Sequence, residues 1–88
     1  MGVEWIRKAA EHPNDANGKA SLGEMYRDGR GVSRDITKAH MWASLALLNG
    51  ESRAAALRDE VVTKMTPQQI TEAQQLAKQC QAQGFKGC

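Results

Sequence analysis

Few side chains in this sequence are suited to chemistry, and their spacing limits what they can do. His12 and His40 each lack a Cys/His/Asp/Glu set at metal-ligand spacing, and His40 directly follows the small Ala39, so a surface or partly packed role is expected of it. Cys80 and Cys88 fall within the last nine residues and match no metal-ligand or redox spacing. They read either as two free thiols or as a local disulfide that pins the tail to the last helix, worth roughly 2–3 kcal/mol by loop entropy. Asp28 and Asp35 suggest a paired-carboxylate centre, yet each falls where a helix terminus is expected. Gly29-x-Gly31 has no strand before it, and no lysine with Ser/Thr completes a phosphate loop after it. No nucleophile elbow or histidine–carboxylate order points to acyl transfer. Trp5 and Trp42 read as core anchors, and Arg53, Arg58, Asp59, Glu60 and Lys64 as a solvated helix face. No catalytic residue, metal site or cofactor is expected.

Composition narrows the class further. Eighty-eight residues make one domain or a piece of one, with a modest core. Apolar residues are 41% of the chain but aromatics only 5%, and β-branched residues are scarce beside alanine, leucine, glutamine, lysine and arginine. That balance favours helix over strand. A net charge of +2 without a basic run gives no support for nucleic-acid binding. The N-terminus holds no apolar block long enough for a signal peptide or a spanning helix, so neither is expected, nor is membrane insertion.

Five helices are predicted. The first covers about Val3 to Glu11 and is stopped by Pro13. The second is capped by Asn14 or Asp15 and runs to Asp28, with Gly29 as a left-handed stop and Gly31 turning the connection. Asp35 caps a third helix reaching Asn49, and Gly50 stops it. The fourth covers about Ser52 to Met65. Thr66, Pro67 and Gln69 then form the sharpest boundary, a capping box with proline in the first turn, opening a fifth helix that ends near Gln83 before Gly84. Leu22, Met25 and Tyr26 line one face of the second helix. Met41, Trp42, Ala43, Leu45, Ala46, Leu47 and Leu48 leave the third almost without a polar side, so it must be central and covered from two directions. The fifth carries one stripe, Ile70, Ala73, Leu76, Ala77 and Cys80, backed by polar residues, which suits the end of a helical stack.

Trp5 and Trp42 stand 37 residues apart in similar surroundings, a period in the range of helix-pair solenoids. The run Leu22-Gly23-x-x-Tyr26-x-x-Gly29-x-Gly31-Val32-x-x-Asp35, continuing through Ala39, Trp42, Ala46 and Gly50, closely resembles the Sel-one-like repeat family, a branch of the tetratricopeptide superfamily. Gly2 to Glu11 resembles the second helix of a preceding unit, and Leu57 to Cys80 a closing segment. Pro13 in place of a usual glycine, Gly18 in place of a usual alanine and one extra residue before the second helix depart from the pattern. The resemblance implies an all-α solenoid of antiparallel helix pairs with right-handed stacking. It divides the chain into 1–12 as a partial repeat, 14–50 as one full repeat and 51–88 as capping helices and tail. On this reading Gly23 lets a neighbouring helix approach closely, with Tyr26 and Trp42 filling the space beside it.

The same resemblance implies a scaffold that binds a protein or peptide partner, with Asn17, Ala20, Glu24, Arg27 and Asp28 on the groove side of the second helix. A small hydrolase acting on cell-wall or β-lactam compounds is the alternative it raises. Relatives credited with that activity carry paired cysteines in each repeat, and the matched unit here has none. Many relatives are exported, so the bacterial periplasm is the compartment implied if a longer form carries a signal peptide. The first helix should leave Val3, Trp5, Ile6 and Ala10 facing both the next unit and a missing one. Either the chain belongs to a longer array or it associates through that end.

Overall fold

The computed structural model describes residues 3–12 and 14–88, the side chain of Val3 excepted. Pro13, the expected stop of the first helix, and the Gly2 end of its resemblance lie outside the described residues. Five helices and no strand are found among the described residues: α1 Val3–Ala10, α2 Ala16–Asp28, α3 Ile36–Leu48, α4 Arg53–Val62 and α5 Pro67–Ala82. Local sequence explains their boundaries. Asp15 accepts the Gly18 N–H at 2.7 Å and Asp35 the Lys38 N–H at 3.1 Å, so each satisfies one of the free donors that open a helix. Thr66 and Gln69 exchange both bonds of the capping box. Gly29 takes φ 70°, and its N–H donates to the Met25 carbonyl at 2.7 Å, ending α2 in the left-handed turn that glycine adopts without strain.

α3 is the axis of the molecule. It packs against α2, α4 and α5, while α1 covers the other side of α2. Met41, Trp42, Ala43, Leu45 and Ala46 are at most 2% exposed, as the nearly unbroken apolar run of α3 demands. Leu48 differs: at the last turn, beyond the reach of its covering helices, it is 69% exposed. The stripe of α5 settles onto α3 through Ala73, Ala77 and Cys80. α4 and α5 have no comparable contact with one another, so the last two helices flank α3 instead of closing into a tight pair.

Small residues decide how closely the rods approach. A Cβ built on Gly23 would stand 2.9 Å from Leu57 Cδ2, 3.3 Å from the Ala39 carbonyl oxygen and 3.5 Å from the Ala43 nitrogen. The backbone of α3 therefore lies against that of α2, as the glycine pattern predicts. Leu57 Cδ2 of α4 is the nearest atom to that position, and Tyr26, Trp42 and Leu57 all belong to the same core cluster. Gly18 plays the matching role toward α1. A Cβ there would meet Ala9 Cβ at 2.8 Å and the Ala9 carbonyl carbon at 2.9 Å. What reads in sequence as a departure from the repeat is a close helix crossing.

Candidate interaction face on α2 and α4

The polar positions of α2 that matter recur at helical spacing, so Asn17, Ser21, Glu24 and Arg27 share a side. α4 supplies the opposing groups. Arg53 Nη2 donates to Asn17 Oδ1 at 2.7 Å and Ser21 Oγ at 3.1 Å, and Arg27 Nη1 reaches Glu60 Oε1 at 3.0 Å. Two cross-helix clamps, seven residues apart on α4, thus join the helices along one polar face. Arg53 and Glu60 belong to what the sequence presents as a solvated surface. Their bonds to residues more than 30 positions away have no signature in local spacing.

Arg27 also grips Asp28 through two parallel bonds, Nε to Oδ1 at 2.8 Å and Nη2 to Oδ2 at 3.0 Å. That hydrogen-bonded pairing holds the Asp28 carboxyl below the usual carboxylate range and the Arg27 guanidinium above its own ordinary value. Both groups are therefore fully charged at neutral pH. Arg30 stands farther from the same carboxylate, at 3.8 Å.

Of the five residues expected on the groove side, Asn17 and Asp28 are exposed, and Glu24 and Arg27 are half-buried. Ala20 is not on that surface. It is 1% exposed and belongs to the core cluster, because α1 and α3 enclose α2 on the side where a small residue is needed. Glu24 makes no hydrogen bond or salt bridge among the described residues, although it lies within electrostatic reach of Arg27. It borders a hollow of about 290 Å³ shared with Ile6, Ser21, Met25 and Arg30. The face as a whole offers four charged groups, one amide and one hydroxyl on two braced helices, an arrangement suited to hydrogen bonding a protein surface.

His40 is 4% exposed, more deeply set than its sequence neighbourhood predicts, because α3 is enclosed on several sides. Burial first, and the charge of Arg58 second, push its pKa down, so the imidazole is neutral. Its Nδ1 lies 3.4 Å from Ser44 Oγ, a long hydrogen bond one turn along the same helix. No group of three or more His, Cys, Asp or Glu side chains suited to a metal ion is present among the described residues. No helix among them is long and apolar enough to cross a membrane.

A further polar group of α2 is buried. Lys19 is fully enclosed, its ammonium donating to the His12 carbonyl and standing 4.2 Å above the Phe85 ring. Burial pushes its pKa down, opposed by nearby Asp15. Phe85 is brought there by the tail, which a disulfide between Cys80 and Cys88 folds back, with the Phe85 N–H on the Cys80 carbonyl at 2.8 Å. Lysine types in a helix give no hint of such burial, since the cover comes from 66 residues away.

The family model for the Sel1 repeat matches residues 1–14 and 16–51. Among curated proteins, the chain is similar to the alginate biosynthesis protein AlgK of Azotobacter vinelandii, with 28% identity over 67 residues. That match covers 76% of this chain and 15% of AlgK, so the chain spans a small part of that relative's length. No solved structure gives a significant match.

Proposed function

We propose, from the premise that this chain belongs to the Sel1 repeat family, that it is a scaffold module whose α2/α4 face docks a protein partner. Sel1 repeats generally mediate protein–protein interaction. The observation that supports the assignment to this face is its bracing: Arg53 and Glu60 hold Asn17, Ser21 and Arg27 in place, while Glu24 has no hydrogen bond or salt bridge among the described residues. Side chains already ordered lose less entropy when a partner arrives. One repeat presents less surface than the 1,000 Å² or so that a stable interface buries, so the module works beside further units. Trp5, 72% exposed on α1, supports the same conclusion, for it marks an edge where another repeat or another copy packs. The Cys80–Cys88 disulfide favours an oxidising compartment, with the periplasm as the setting.

The test is capture of a partner from extracts of the source cell, with the wild-type chain compared to Glu24→Lys and Arg27→Gln at matched thermal stability. A partner held by the wild type and weakened about tenfold by either variant, about 1.4 kcal/mol, supports the reading. Equal capture by all three proteins overturns the choice of face.

A further inference from the structure

A second surface lies on different residues, so its fate is independent of the α2/α4 face. Because α4 and α5 flank α3 without closing on one another, a groove of about 510 Å³ opens beside the C-terminal end of α3. Leu47 and Leu48 of α3 and Ala77 of α5 supply its apolar lining. Among the described residues, Leu48 is one of two large apolar side chains left exposed. Arg58 of α4 and Lys78 of α5 supply the charge. The other lining side chains are a serine and two glutamines, so the groove holds two cations and no carboxylate. Among the described residues, Lys78 has no ion pair, and Arg58 has just its chain neighbour Asp59, at 4.0 Å.

The shape of the groove is that of a helix seat. Gln74, Ala77, Lys78 and Gln81 line it at i, i+3, i+4 and i+7, and Ser44, Leu47 and Leu48 repeat the first part of that spacing on α3. Two such rows give the ridge spacing into which another helix packs, over about two turns or ~10 Å. Charge then selects among helices, because unlike charges across an interface favour one partner while like charges exclude others.

We propose that this groove docks an acidic amphipathic helix of a partner protein, its apolar ridge on Leu47, Leu48 and Ala77 and its carboxylates on Arg58 and Lys78. The mode is helix-in-groove recognition, read by apolar anchors at helical spacing.

The experiment is a nuclear magnetic resonance titration of the intact, disulfide-bonded chain with two synthetic peptides. One carries leucines at i, i+4 flanked by glutamates; the other is identical except for lysines in place of the glutamates. The acidic peptide is expected to give saturable shifts at Ser44, Leu48 and Lys78, with a midpoint on the order of 100 μM for so small an interface. Lys78→Glu and Leu48→Gln, both at exposed positions, should each weaken it about tenfold. Failure to saturate, equal binding of the lysine peptide, or indifference to Lys78→Glu would overturn the proposal. So would self-association of the free chain that Leu48→Gln abolishes, since a second copy would then be the occupant.

Discussion

An added methyl group distinguishes the two packing glycines of α2. In a helix interior alanine is favoured over glycine by about 1 kcal/mol, whereas overpacking a tight crossing costs about 1–3 kcal/mol. At Gly23 the closest atom is the mobile end of Leu57, which can shift. At Gly18 the closest atoms belong to Ala9, including its backbone, which cannot move without carrying α1 along. Gly18→Ala should therefore destabilise by about 1 kcal/mol net and Gly23→Ala by less. Urea unfolding measures both, and faster amide exchange in α1 of Gly18→Ala shows where the strain is relieved. A Gly18→Ala variant as stable as the wild type would contradict the crossing. Gly23 belongs to the spaced pattern that carries the family resemblance, whereas Gly18 is legible only once α1 is in place.

Among the elements, α5 is the one whose boundaries are written most plainly in sequence, yet its fixation depends on the tail. Threonine, proline and glutamine at its start satisfy the opening donors locally, so no distant contact is needed to recognise them. The Cys80–Cys88 link then closes a loop with a separation of eight residues, worth about 2.5 kcal/mol in the chain-entropy account. For a chain of this size each kcal/mol shifts the melting temperature by about 4–8 °C, so Cys88→Ser should melt about 10–20 °C lower. Calorimetry with and without a dithiol reductant checks this, because reduction of the wild type must reproduce the variant. The companion effect is local: a freed tail releases Phe85 from the Lys19 ammonium. Cysteine spacing leaves thiols and disulfide equally open; the fold brings the two Cα atoms to 5.6 Å, within the range a disulfide spans.

For the whole molecule, the principal feature is an α3-centred stack with an exposed aromatic at its α1 edge. Ala10 is fully buried and Ile6 partly so against α2, but Trp5 points away from the core. An aromatic of that size left in water costs free energy that a neighbouring helix would recover. Sedimentation equilibrium over rising concentration should show association of the isolated chain, weakened in Trp5→Ser. A concentration-independent monomer would argue against this edge as an association surface. The edge at Trp5, the braced α2/α4 face and the groove at Leu48 lie on separate residues, so variants at one should leave the others intact.

Helix identity, the capped starts of α2, α3 and α5 and the central role of α3 were determined by the sequence alone, because capping bonds and apolar periodicity act within a few residues. α4, which has no side-chain cap, ends at Val62 and not near Met65 as expected. The approach of α3 to Gly23 was equally legible, since a glycine inside a helix costs stability and a close crossing is the usual reason to keep it. Tertiary structure decided the rest: Ala20 and Lys19 inside, Arg53 and Glu60 as clamps, His40 enclosed and Leu48 bare. Each of these outcomes depends on what another helix or the tail brings from far along the chain, and local spacing carries no record of that arrival.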